Sequence, residues 1–126
     1  MSGGAYEYVA AYINNGNSNL ATNGSSLVNA DLKYKDIYAV SNQDARLDNY
    51  QANSKVYGDA MWETSSHGDS TSSWHSDYSY MAHVNYPWIQ RGCAYNYGTG
   101  AGVYAFSFGN GIPSVLKSFH AVLLVE

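Results

Sequence analysis

Clusters of Asn and Gly cut this 126-residue chain into short pieces and limit what it can fold into. A run rich in β-formers, Tyr6-Glu7-Tyr8-Val9-Ala10-Ala11-Tyr12-Ile13, is followed at once by Asn14-Asn15-Gly16-Asn17-Ser18-Asn19. Period-2 spacing puts Tyr6, Tyr8 and Tyr12 on one side of a strand. Asn and Gly tolerate left-handed backbone, so the cluster reads as a loop, running on through Asn23-Gly24-Ser25-Ser26. Two further clusters, Gly98-Thr99-Gly100-Ala101-Gly102 and Gly109-Asn110-Gly111-Ile112-Pro113-Ser114, supply turns among three β-type segments: Trp88 to Tyr95, Gly102 to Phe108 and Phe119 to Val125.

Between these ends, Tyr34 to Val40 reads as a second strand, and Asp44 to about Val56 as a helix with Leu47, Tyr50 and Val56 near helical spacing and Gly58 placed to stop it. Residues 64 to 79 are polar and Ser-rich, a loop expected to be pinned by Trp74 and Tyr78. The expectation is a single α+β domain over residues 1–126, with one or two short helices.

Charged residues are only 13% of the chain and aromatics 15%, with 13 Tyr against 3 Phe. Tyr combines an apolar body with a polar tip, and its mixture with Ser, Gly and Asn is the chemistry of recognition surfaces; exposed strands that simply use Tyr and Ser give the same composition. The net charge is −4, and the six Lys and Arg at positions 33, 35, 46, 55, 91 and 117 form no basic patch, which disfavours nucleic-acid binding. The single Cys93 excludes an intrachain disulfide and a multi-cysteine zinc site. No apolar run is long enough to cross a bilayer, so membrane insertion is not expected. Met1-Ser2-Gly3-Gly4 lacks the basic and apolar regions of a signal peptide; export is expected to be directed otherwise or by a signal outside this sequence, and a virion protein assembled inside a host would need none.

Three pieces in order resemble formylglycine-generating-enzyme-like domains of the sulfatase-modifying type. Ser2-Gly3-Gly4-Ala5-Tyr6-Glu7-Tyr8-Val9 is similar to their SGNVWEWV segment, Trp88 to Tyr95 to V-x-RGGSW, and Ser118-Phe119-His120-Ala121-Val122-Leu123 to the closing GFR-x-V. Gly58-Asp59-Ala60-Met61-Trp62-Glu63-Thr64-Ser65, Trp74-His75-Ser76-Asp77-Tyr78-Ser79-Tyr80 and Pro87-Trp88 resemble a version found in bacterial and phage surface proteins, with the pattern GDA-x-x-ETS, W-x-SDYSY, PWF-x-RGG. The resemblance implies a C-type-lectin-like fold, antiparallel strands holding long irregular loops, in a chain that lacks the usual N-terminal part. It implies a half-buried anchoring role for Arg91, whose partner position in the closing segment is here His120. The catalytic relatives use two cysteines past RGGS for copper-dependent oxidation. Here Tyr97 stands after Arg91-Gly92-Cys93-Ala94-Tyr95-Asn96 and no second cysteine exists, so no enzyme activity is expected. Cys93 itself, in place of the second Gly of RGG, reads as a small buried residue inside a strand.

Other chemistry finds weaker support. His67, His75 and His83 recur every eight residues, but spacing along a Ser-rich loop does not converge three ligands on one ion. Asp59, Glu63, Asp69 and Asp77 flank the same loop and could hold calcium; no cofactor is otherwise expected. Ser73, His75 and Asp77 make a triad only on paper, and no nucleophile elbow, P-loop or dinucleotide fingerprint occurs.

What remains is the surface of the last strands and turns, where Tyr95, Asn96, Tyr97, Thr99, Tyr104, Phe106, Asn110 and Ser114 alternate with small residues. This resembles the variable face of lectin-like proteins diversified by retroelements. The expectation is a ligand-binding module, extracellular, on a cell surface or on a virion, that binds a protein or glycan receptor through these eight residues. The alternative is a structural subunit of a phage particle or extracellular filament that self-associates into a homo-oligomer or larger assembly.

Overall fold

A computed structural model describes residues 4–55, 58–112 and 117–119. The architecture is mixed α+β: one open sheet with a few short helices against it. The first strand, β1 (Tyr6–Ile13), lies inside the sheet and is the element around which the rest is arranged. One of its edges pairs antiparallel with β5 (Trp88–Arg91), which pairs antiparallel with β6 (Phe106–Gly109). Its other edge is shared by β7 (Lys117–Phe119) beside Tyr6 to Tyr8 and by β2 (Asp36–Tyr38) beside Ala11 to Ile13, both parallel to it. Beyond β6 lie β4 (Ser79–Tyr80), parallel to it, and β3 (Asp69–Ser70), giving the order β2-β1-β5-β6-β4-β3. The sheet is therefore mixed, not wholly antiparallel as expected.

The alternation expected of β1 holds, and both its faces are covered. Ala11 and Ile13 join Tyr38, Tyr50, Met61, Met81, Ala82, Ile89 and Phe106 in the larger core. Tyr8 and Tyr12 pack with Leu20 and Trp88 in a second cluster, and Tyr6 with Cys93, Ala94 and Ala105 in a third. Each large apolar side chain withdrawn completely, such as Ile13, Met81 or Phe106, contributes about 1.5–3 kcal/mol.

The stretch expected to be a loop through Ser26 is instead the helix α1 (Ser18–Val28). The Asn cluster is its start signal: the Asn17 side chain accepts the Asn19 amide at 2.8 Å as an N-cap. Leu20, Leu27 and Val28 turn toward Tyr8, Tyr12 and Trp88, and that burial offsets a sequence poor in helix formers. The helix breaks at Gly24, where a Cβ would collide with the Trp88 ring.

The second helix, α2 (Arg46–Ala52), is shorter than the expected Asp44–Val56. Asp44 sits at φ +46° in a turn closed by its own amide on Ser41, and Val56 lies outside the described residues. A third helix, α3 (Ala60–Thr64), has no apolar periodicity to announce it; Asp59 caps it by accepting the Met61 amide at 2.9 Å. The Ser-rich segment is pinned as expected by Tyr78, which packs against Tyr6, Cys93, Ala94 and Ala105, and by hydroxyls, but not by Trp74. Ser72 and Ser79 share a 2.7 Å hydrogen bond, Ser73 Oγ donates to the Asp77 carbonyl, and Tyr50 Oη donates to the Ser65 carbonyl, whereas Trp74 is largely exposed. The strand begun at Trp88 stops at Arg91, because Gly92 (φ +83°) and Cys93 (φ +54°) bend the chain away. Cys93 is thus buried as expected, but beyond the strand. The segment expected from Gly102 becomes a strand only at Phe106, and of Phe119–Val125 only Phe119 falls within the described residues.

Candidate functional site

Five of the eight candidate residues come together on irregular backbone. Tyr95, Asn96, Tyr97 and Thr99 are exposed on a 3-10 turn, Tyr95–Gly100, with Tyr95 at 68% exposure. Tyr104, half-buried, follows in a turn that is closed by the Ala105 amide donating to the Gly102 carbonyl. Phe106 does not belong with them: it is fully buried in the larger core, because the strand begun there points it inward. Asn110 is also removed from the set. It lies past the far end of β6, where its carbonyl accepts from Asn23 Nδ2 of α1 and its side chain accepts the Ile112 amide, a structural tie. Ser114 lies outside the described residues.

The segment from Trp74 to Tyr78 completes this surface. The Tyr78 amide donates to the Gly100 carbonyl at 2.8 Å, and the Asp77 carboxylate, 4% exposed, accepts the Tyr104 amide at 3.1 Å. A Cβ on Gly102 would collide with that carboxylate and one on Gly100 with the Tyr78 ring, so these glycines allow the two segments to approach. His75 and Ser76 are left-handed (φ +62° and +63°). That excursion turns Trp74, 58% exposed, edge-on to Tyr104 at 5.2 Å, with His75 stacked on the same ring at 6.3 Å. Sequence reasoning read Trp74 as a loop anchor; an isolated Trp among Ser and His was the available signal for an exposed ring.

Behind the rim, Tyr97 meets Tyr6 and Tyr78 edge-to-face, and Tyr78 meets Tyr80 in the same way. These rings line a groove of about 430 Å3 that also takes in Arg46, Tyr86, Gln90, Ser107, Phe108 and Gly109. It lies where β4, after sharing only the Ser79–Phe106 register with β6, diverges from that strand. Arg46 rests over the Tyr80 and Phe108 rings and is held by Asp69, Nε to Oδ1 at 3.0 Å. Gln90, 1% exposed, carries the one buried side-chain nitrogen or oxygen without a hydrogen-bond partner among the described residues, its Nε2.

The candidate chemical groups do not converge. Among the described residues no three His, Cys, Asp or Glu side chains are grouped to hold a metal ion. Asp59 caps α3 and accepts the Tyr38 hydroxyl at 2.5 Å, Glu63 lies within α3, Asp69 holds Arg46, and Asp77 holds Tyr104. His67 Nδ1 accepts the Asp69 amide and His83 packs on Phe108 at 4.6 Å, so the eight-residue recurrence is not a shared site. Ser73 donates to the Asp77 carbonyl rather than to His75. Arg91 is half-buried near Asp59 and Tyr38; burial lowers its pKa and Asp59 opposes the shift. Burial pushes the Cys93 thiol up, and that thiol donates to Tyr6 Oη at 3.3 Å. Comparison with family models, curated proteins and solved structures gives no match for this chain.

Proposed function

We propose that this chain is a non-catalytic binding module, a C-type-lectin-like domain of the formylglycine-generating-enzyme-like kind, that recognises a protein or glycan receptor on behalf of a virion or a cell surface. The observation that carries the reading is the rim of exposed aromatics held on fixed backbone: Tyr95, Tyr97 and Trp74 project to solvent, while Asp77, Gly100 and Gly102 clamp the segments beneath them. Large rigid side chains on a pre-organised frame lose little entropy on binding, which is how aromatic contact residues come to dominate recognition. The test is binding of the chain to candidate host cells, wild type against the double variant Tyr95→Ala/Tyr104→Ala. A loss of tenfold or more with an unchanged thermal midpoint supports the reading, and equal binding overturns it.

A second reading, a self-associating structural subunit, draws on a different surface. Ile37 of β2, the outermost strand on that side of the sheet, and Leu32, Tyr34 and Val40 on the segments flanking it are all more than two-fifths exposed. An exposed apolar edge strand is a template for pairing with another chain. Light scattering across a concentration series separates the readings: a regular assembly that Ile37→Lys dissolves favours the structural subunit, and a stable monomer favours the binding module.

A further inference from the structure

From the groove behind the aromatic rim we infer that this chain takes a neutral saccharide residue there, its ring stacked on tyrosine and one of its oxygens accepting from Gln90 Nε2. The inference rests on the reading of the chain as a ligand-binding module, but on different residues from the exposed rim.

Three features of the groove converge on this ligand. The first is the orphaned donor. A buried amide nitrogen without a partner costs about 1–3 kcal/mol, and native proteins keep such a group where something else satisfies it. Gln90 lines the groove beside Gly109, where a Cβ would stand 2.5 Å from Nε2 and closer still to the Tyr8 hydroxyl. Only glycine at 109 lets the Gln90 amide and the Tyr8 hydroxyl pack this close to β6. The second is the lining, which contains no aliphatic side chain: tyrosine rings, the Gln90 amide and the Ser107 hydroxyl supply flat apolar faces next to polar tips. A pyranose matches that mixture, since one face of the ring is C–H and its periphery is oxygen. The third is charge. Arg46 is the only ionic group in the lining and is already matched by Asp69, so nothing there calls for an acidic ligand.

A volume of about 430 Å3 falls within the range of small-ligand sites. A proline-rich peptide also docks on aromatic grooves, but it lies along the ridges with its backbone solvated and would not reach a buried donor. A sugar ring projects oxygens around its whole edge and does.

The experiment is a printed array of neutral oligosaccharides, sialylated oligosaccharides and a polyproline peptide, probed with the full chain, Gln90→Leu and Tyr95→Ala/Tyr104→Ala. Because Nε2 has no partner to lose, Gln90→Leu is expected to keep or raise the urea midpoint while weakening neutral-sugar binding roughly tenfold, the loss of one hydrogen bond. A blank array, binding confined to sialylated glycans or polyproline, or neutral-sugar binding that Gln90→Leu leaves intact overturns the inference. If the array is blank while cell binding still depends on Tyr95 and Tyr104, the groove inference fails and the proposed function stands. If sugar binding depends on Gln90 while cell binding ignores the rim variant, the groove inference stands and the rim reading fails.

Discussion

Asn49 is wholly buried in the middle of α2, and replacing it with Ala should be among the most destabilising single changes in the chain. Its Oδ1 accepts the Ser41 amide at 2.8 Å, and its Nδ2 donates to Asp44 Oδ1 at 2.8 Å and to the Ala82 carbonyl at 3.0 Å. Those bonds tie the turn before α2 to the chain that follows β4. Losing three hydrogen bonds at about 0.5–1.5 kcal/mol each, with the Ala82 carbonyl left buried and unsatisfied, gives a cost of about 3–4 kcal/mol. That is a large part of the 5–15 kcal/mol typical of a domain. In urea, with a slope of about 1–3 kcal/mol per molar, the midpoint for Asn49→Ala should fall by at least 1 M, read by tryptophan fluorescence. Asn49→Asp is the informative companion. It keeps an acceptor for Ser41 but loses both donors and sets a carboxylate against Asp44, so at neutral pH it should be at least as damaging as Ala. Its deficit should shrink as acid protonates the new group. A midpoint shift below about 0.3 M for Asn49→Ala, or an Asp variant milder than Ala at pH 7, would refute this account of the network.

Tyr38→Phe removes the hydroxyl that donates to the Asp59 cap of α3 and should cost about 1.5–3 kcal/mol, the range for a bond to a charged group, measured by urea unfolding; a loss under 0.5 kcal/mol would contradict it. Cys93, 1% exposed with its thiol pushed up by burial, should resist iodoacetamide at pH 8 in the folded chain and react in urea; labelling at the rate of a free thiol without denaturant would show the site is open. Burial holds the His83 imidazole below its ordinary 6.5, with Arg46 adding to the shift and Asp44 and Asp69 opposing it, so the folded state favours the neutral ring. Stability from this group is full above about pH 6.5 and falls as pH drops through the depressed folded value. His83→Gln should flatten that slope in melts between pH 7 and pH 5, and an unchanged slope would exclude His83 as its source.

The parts of the fold legible in the sequence are those set by period-2 alternation. β1 announces both of its faces, since Tyr6, Tyr8 and Tyr12 alternate with residues that enter the larger core. What hid α1 was an ambiguity in Asn chemistry: the side chain that ends a strand in a loop is the same one that caps a helix, and only the burial of Leu20 against Trp88 decides between them. In α2 the apolar periodicity of Leu47 and Tyr50 located the helix, but its most buried residue is polar and could be recognised only by partners at positions 41, 44 and 82. Phe106 was misplaced because inward and outward positions on a strand differ by one residue, and the strand begins later than its composition suggests.

The same contrast bears on the site. The exposed aromatics stand on a 3-10 turn and on left-handed residues, none of it regular structure, and yet they are fixed by groups that lie underneath and make few demands on the side chains above: the Asp77 carboxylate, the Gly100 and Gly102 backbone, and the serine hydroxyls of residues 72, 73 and 79. Substitution at Tyr95, Asn96 or Thr99 leaves all of those anchors in place, so the rim can change its chemistry at little cost to the fold. Tyr97 is different, because its ring also closes the groove against Tyr6 and Tyr78. A surface tuned to new partners would therefore vary most freely at positions 95, 96 and 99, and would hold an aromatic ring at 97, where rim and groove share one side chain.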